Sequence, residues 1–176
     1  MGLVHIYCGD GKGKTSAAVG LAVRAAGCGK RVVIARFLKT DNSGEVEILK
    51  KIPEVTLIPC RKTFGFVRSM DEETKRECAA YHRELFGEAV KLAEHADLVV
   101  FDEIMAAANY GMVPERDVLE FLENRPGRDQ TDGLEIVLTG RDPSEKLIAA
   151  ADYVSEICKR KHPFDRGIMA RRGVEY

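Results

Sequence analysis

Ten residues near the start of the chain, YCGDGKGKTS (Tyr7 to Ser16), combine side chains and spacing suited to holding a polyphosphate. Gly9, Gly11 and Gly13 lack Cβ atoms, so backbone N–H groups there can converge on an oxyanion, and the helix expected next adds its partial positive charge. Lys14 supplies a point charge to the phosphates, and the Thr15 hydroxyl suits a magnesium ion. The widespread form of such a loop, G-x-x-x-x-G-K-[ST], would place glycine at position 8, where this chain has Cys8. The G-K-T ending between an apolar strand and a helix still points to a nucleoside triphosphate. Its cradle would be Gly9, Asp10, Gly11, Lys12, Gly13, Lys14, Thr15 and Ser16.

A second group of chemistry-bearing residues lies downstream. DLVVFDE (Asp97 to Glu103) is an apolar run stopped by two acids, as in a strand whose terminal carboxylate holds Mg²⁺ directly or through water. Thr15, Asp102 and Glu103 are thus the candidate ligands for Mg²⁺ or Mn²⁺. Asp102 is read as the metal partner and Glu103 as the substrate-side group, an order that spacing does not decide. Lys14, Thr15 and Glu103 are the candidate catalytic residues. Arg141, closing VLTGR, would emerge at the same carboxyl edge of a sheet, where open α/β folds bind ligands. It is assigned to ATP binding, against the alternative of a surface arginine preceding a helix. These motifs alone leave three functions open: group transfer from ATP, phosphoryl transfer by a small kinase or ATPase, and ATP sensing without turnover.

The elements that must position these groups follow from periodicity. LVHIYC (Leu3 to Cys8), RVVIARF (Arg31 to Phe37), VTLIP (Val55 to Pro59), DLVVFDE, LEIVLTGR (Leu134 to Arg141) and YVSEIC (Tyr153 to Cys158) read as strands. Helices are predicted from Lys14 to about Cys28, from Gly44 to Ile52, from Ser69 onward, and from Pro114 to Arg125-Pro126-Gly127. The Ser69 start rests on a capping-box pattern with Glu72, and the helix stripe runs through Cys78, His82, Leu85, Ala89, Leu92 and Ala96. His82 on that stripe reads as structural. A last helix begins at Asp142-Pro143-Ser144-Glu145, with Asp142 as N-cap and Pro143 at the first helical position. Apolar strands alternating with helices predict a mostly parallel central sheet with helices on both faces, in one domain spanning residues 1–176.

Composition excludes several functions. The 27 basic and 28 acidic side chains nearly cancel, which removes the electrostatic case for a nucleic-acid or anionic-membrane binder. KRKHPFDRGIMARR (Lys159 to Arg172) is a local exception, readable as a solvated tail or as an anion-binding or interface segment. The five cysteines are scattered without a C-x-x-C pair, which fits a reducing compartment rather than a disulfide framework or zinc site. With a strand expected directly after Met1 and no long apolar run, the protein is expected to be cytoplasmic.

Over nearly its whole length the chain resembles the ATP:corrinoid adenosyltransferases that act on cob(I)alamin and cob(I)yrinic acid a,c-diamide. The resemblance lies in Gly9 to Lys39 (GDGKGKTSAAVGLAVRAAGCGKRVVIARFLK), DLVVFDEI, VLTGRDP, ADYVSEI and the closing KHPFDRGIMARRGVEY. The compact G-x-G-K-G-K-[ST] loop is that family's own form, which accounts for Cys8. The resemblance implies a RecA-like P-loop NTPase fold and a reaction in which a Co(I) corrinoid attacks the 5′-carbon of ATP and expels triphosphate. It also implies a reversed nucleotide, the γ-phosphate lying where other P-loop proteins hold an inner one. A flavoprotein reductase supplying Co(I) and a homodimer are the partners it implies. Many members carry an F-x-W pair against the corrinoid. Here the segment is FGFVRSM, so Phe64, Phe66 and Arg68 are the corrinoid-binding candidates, with ordinary packing under a loop the alternative for the two phenylalanines; Arg68 stands where tryptophan would, and the chain has no tryptophan. Longer members have an N-terminal extension over the corrinoid, which is not expected here. Arg24 in AVRAAG lies too far along its helix to reach its own loop, so an ion pair or interface role is expected, and His162 matches the family's KH signature.

Overall fold

The computed structural model describes residues 2–128 and 133–176. Six strands, β1 (Val4–Cys8), β2 (Val32–Arg36), β3 (Val55–Leu57), β4 (Leu98–Asp102), β5 (Glu135–Thr139) and β6 (Tyr153–Glu156), form one sheet in the order β3-β2-β4-β5-β1-β6. Every pairing is parallel. This is an α/β, P-loop NTPase-like fold, and the expectation of a mostly parallel sheet becomes an all-parallel one.

Side chains of successive strand residues point to opposite faces, and the interior divides accordingly. Val32, Ile34, Leu98, Val100 and Val137 meet the alanine-rich face of α1 (Lys14–Gly27) and Leu49 of α2 (Gly44–Leu49). Val33, Ala35, Val99, Phe101, Ile136 and Leu138 meet the larger layer built by α3 (Glu72–Ala93), α4 (Ile104–Asn109), α5 (Glu115–Glu123) and α6 (Glu145–Ala150). The alanines at 18, 22, 25 and 26 let α1 lie close on the sheet, directly behind the phosphate-loop segment.

Three local expectations are corrected. The long helix is capped by Asp71, which accepts the Thr74 N–H at 2.8 Å, while Ser69 sits in a preceding 3-10 turn and donates to the Phe66 carbonyl at 2.9 Å. A carboxylate one residue before Glu72 outcompetes the serine hydroxyl for the free N–H groups of the first turn. Likewise Ser144, not Asp142, caps α6, accepting the Leu147 N–H at 3.2 Å. The third is α4, a helix not predicted, formed where the chain turns directly out of β4.

Parallel strands bring the carboxyl ends of β1, β2, β4 and β5 to one edge of the sheet. The three described non-glycine residues with positive φ follow β2, β4 and β5 at that edge: Leu38 (φ 52°), Glu103 (φ 62°) and Asp142 (φ 51°). Each costs on the order of 1–2 kcal/mol relative to ordinary backbone. Such concentration at one edge of a fold marks where function constrains the chain.

Candidate active site

The phosphate loop leaves β1 and doubles back on the segment after β6. The Gly11 N–H donates to the Ile157 carbonyl at 2.7 Å, and a Cβ on Gly9 would lie 2.5 Å from that same oxygen, so only glycine fits. Lys14 is 9% exposed and donates to the carbonyls of Gly9 and Gly11 at 2.7 and 2.9 Å, curling the loop around its ammonium. Burial, and then the nearby Arg141 guanidinium, pull the Lys14 pKa down. Asp10 turns outward and accepts the Lys159 N–H at 2.8 Å, which holds its carboxyl below the ordinary range.

Asp102 is the hub behind the loop. It is 2% exposed, and its Oδ1 accepts from Thr15 at 3.0 Å and from Thr139 at 2.6 Å. Its Oδ2 accepts from Lys39 at 2.5 Å, and Lys39 also donates to the Thr15 hydroxyl at 2.7 Å. Strand order makes this possible: β2 and β4 are neighbours, with Arg36 opposite Asp102, so the turn after β2 delivers Lys39 to the end of β4. That turn is held by Arg36, which donates to the Thr40 carbonyl at 3.0 Å and pairs with Asp41. Glu103 follows in left-handed backbone, its N–H donating to the Thr139 hydroxyl at 2.8 Å. Gly140 must also be glycine, because a Cβ there would meet Met105 of α4 at 2.6 Å. Its tight packing lets Arg141 emerge beside Glu103.

A cavity of about 270 Å³ opens over the loop and joins residues 10–16 with Glu103, Arg141 and His162. All predicted ATP-site residues except Gly9, which lies beneath, therefore line one space. A magnesium ion fits the oxygens of Thr15 and Asp102. These are hard donors, and the Lys39 ammonium already lies between them as a cation in contact with both. Among the described residues, no cluster of three His, Cys, Asp or Glu side chains is placed to chelate a metal.

A second cavity of about 270 Å³ lies beyond Lys39, lined by Leu38, Lys62, Phe64, Phe66 and His82. Phe64 is half-buried against Tyr81, with ring centroids 5.7 Å apart, whereas Phe66 is 87% exposed. Arg68 lies in the 3-10 turn and is not among that cavity's lining residues. Phe64 thus does pack under a loop, and Phe66 does not.

His82 is buried as predicted, at 3% exposure, but it also borders this cavity, and its Nδ1 has no partner. Burial pushes its pKa down from 6.5 to about 4. The unfolded chain therefore binds this proton more readily, so His82 is expected to drain stability as pH falls from 6.5 to about 4. The loss should reach about 3 kcal/mol and be absent above that window. Urea denaturation of the wild type and His82→Leu across that range checks it. The variant should lack this part of the acid sensitivity.

Sequence reasoning missed Lys39 and Thr139 as partners of Asp102. It also left the basic tail undecided, and the structure folds that tail onto the loop. Glu175 accepts from the Arg171 side chain at 3.0 Å and from the Arg171 N–H at 2.8 Å, which hold its carboxyl down to about 2, and it also accepts from Lys12 at 3.1 Å. Arg24 borders a separate cavity with His5, Glu135 and Tyr153, away from the loop as expected, and forms no ion pair among the described residues.

A family model described as ATP:corrinoid adenosyltransferase BtuR/CobO/CobP matches residues 1–176. A corrinoid adenosyltransferase of Escherichia coli strain K12 is 34% identical over 178 residues, covering 99% of this chain and 86% of that protein. The Corrinoid adenosyltransferase CobA of Salmonella typhimurium is 34% identical over 177 residues, with 99% and 86% covered. A corrinoid adenosyltransferase of Pseudomonas aeruginosa is 31% identical over 178 residues, with 99% and 84% covered.

Proposed function

The chain belongs to the ATP:corrinoid adenosyltransferase family, acting in cobalamin biosynthesis or salvage, and we propose that the loop and the Asp102 hub form its ATP site. The observation that carries this reading is the joining of Lys14, Thr15, Asp102, Glu103 and Arg141 at one sheet edge. In the reaction the cobalt of the reduced corrinoid substrate gives an electron pair to C5′ of ATP. The C5′–O5′ bond breaks, and its pair leaves with the triphosphate.

The protein's task is to hold a highly charged leaving group and to aim C5′. Loop N–H groups, Lys14 and Arg141 receive the triphosphate charge in a fixed geometry, which favours the transition state as more negative charge reaches the departing oxygen. Mg²⁺, with Mn²⁺ as substitute, would be held by Thr15 and Asp102, and when bound it neutralises phosphate charge. Glu103 faces the substrate from the strained turn. No general base is required, because the nucleophile carries no proton to remove.

The corrinoid is assigned to the cavity of Phe64 and Phe66, next to Lys39, where an exposed aromatic ring offers a flat apolar contact to a corrin face. Arg68 is retained as a rim contact only. A homodimer is supported by the edge strand β6, all four residues of which are exposed, Tyr153 and Val154 among them. A flavoprotein reductase remains the proposed electron source, and a reducing cytoplasm the proposed compartment. Among the described residues no helix is long and apolar enough to cross a membrane.

Purified protein with MgATP and chemically reduced corrinoid should yield triphosphate and a light-sensitive cobalt–carbon product. ADP as product would instead indicate phosphoryl transfer, and absence of turnover would indicate a sensing role.

A further inference from the structure

The Asp102 carboxylate is 2% exposed at the end of a central strand, and a charge buried so deeply needs a paired charge as well as hydrogen bonds. Its Oδ1 accepts from the Thr15 and Thr139 hydroxyls at 3.0 and 2.6 Å, and neither donor is charged. The charge is met by the Lys39 ammonium, 2.5 Å from Oδ2. Lys39 also donates to the Thr15 hydroxyl at 2.7 Å, while that hydroxyl gives its own proton to Asp102. A lone pair of Thr15 and a carboxylate oxygen therefore converge on one cation, as ligation of a divalent ion requires. Ammonium and metal need the same two oxygens and cannot hold them together.

The Lys39 side chain can leave this seat although its backbone is pinned. Cys60 Sγ donates to the Lys39 carbonyl at 3.1 Å, and the Arg36 guanidinium donates to the Thr40 carbonyl at 3.0 Å. The Cys60 N–H donates to the Asp41 carboxylate at 3.2 Å, closing the turn from the other side. The side chain, in contrast, is 26% exposed and borders open space twice. One space is a cavity of about 590 Å³ toward Gly20 and Ile48, and the other is the cavity of Phe64 and Phe66. Moving the ammonium out of the seat is thus a change of rotamer with the turn unmoved.

We propose that Lys39 is a built-in counter-ion that occupies the metal seat until metal arrives with nucleotide, and then swings out. This rests on the assignment of Mg²⁺ to Thr15 and Asp102. Without metal, the ammonium keeps Asp102 neutralised and the two oxygens aimed at one point. A bare divalent ion must break the 2.5 Å pair to enter, and it gains only those two oxygens. An ion that comes with triphosphate keeps its phosphate ligands, and the phosphates offer the displaced ammonium a new anion. The seat therefore favours metal delivered with its nucleotide over free metal, an order of loading set by one side chain.

Mn²⁺ alone, added to the full chain without nucleotide and followed by loss of the free ion's paramagnetic resonance signal, tests the proposal. Lys39→Met should bind Mn²⁺ at least about tenfold more tightly than the wild type, the scale of one partly buried ion pair that no longer has to be broken. Lys39→Gln keeps a donor for Asp102 without the charge, and it should show the same gain if methionine weakens the fold. Mn²⁺ should also raise the thermal midpoint of these variants more than that of the wild type. Adding Asp102→Asn should abolish both effects. Equal or weaker Mn²⁺ binding by both Lys39 variants overturns the proposal, since the ammonium would then not compete for the seat. So does a gain that survives Asp102→Asn, which would place the ion elsewhere. Failure of the underlying assignment looks different: Asp102→Asn alone would then bind ATP with the same dependence on Mg²⁺ as the wild type.

Discussion

Replacing Lys14 by methionine is expected to lower the rate of adenosyl transfer by about 10²–10³-fold or more, without lowering the thermal midpoint of unfolding. The two halves of that result have one cause. The ammonium is buried among loop carbonyls, 9% exposed, and its pKa is pulled down first by desolvation and then by Arg141. A lysine whose folded pKa lies below its unfolded value is charged at a cost whenever pH is below both, so at neutral pH the charge itself opposes folding. Methionine keeps most of the stem's packing and removes that cost. The Gly9 and Gly11 carbonyls it abandons, now bonded at 2.7 and 2.9 Å, lie beside an open cavity where water can replace the ammonium. What cannot be replaced is a fixed positive charge against a departing triphosphate, where water would have to reorganise as charge develops. Steady-state assays with ATP and reduced corrinoid, beside a thermal scan, check both halves. Near-normal turnover would displace the phosphate site from residues 9–16, and a large drop in midpoint would show that the lysine is held for folding.

Lys14 also illustrates what the sequence could reveal. The loop, α1 and the acids ending β4 are local patterns: glycines before a helical period, or an apolar run stopped by charge. Their positions along the chain needed no knowledge of neighbours. Lys39 is a different case. It becomes a site residue because β2 lies against β4 and places Arg36 opposite Asp102, and strand order is not written in any local period. Thr139 likewise reaches Asp102 because β5 lies between β4 and β1. The fold-back of the C-terminal tail onto the loop depends on contacts still farther apart, Glu175 meeting Lys12 across 163 residues. Helix α4 escaped prediction for a local reason. Its six residues, Ile104–Asn109, are mostly apolar and directly follow an apolar strand, so no change of period marks the boundary that Glu103 makes with its positive φ. The displaced caps at Asp71 and Ser144 show competition between acceptors within two residues of each other, which first-turn geometry decides.

Asp102→Asn is expected to cost more than activity, and the way its cost is relieved identifies its partner. The carboxylate is 2% exposed and receives Thr15, Thr139 and Lys39 together. An asparagine oxygen could still accept from the two hydroxyls, but its NH₂ would then face the Lys39 ammonium, donor against donor. Breaking a buried pair in this way costs about 3 kcal/mol, near the low end for such pairs because the Lys39 side chain is 26% exposed and water relieves part of the loss. For a chain of this size that is a fall of roughly 6–12 °C in unfolding midpoint. Adding Lys39→Met removes the stranded charge, so the double variant should recover most of the lost stability. Adenosyl transfer should not return, because neither the carboxylate proposed to hold the metal nor the ammonium beside it remains. Stability that adds independently in the two single variants would show that the 2.5 Å contact does not couple them. Asp102→Asn with ordinary turnover would remove the β4 carboxylate from the reaction, leaving Glu103 as the acid that serves it.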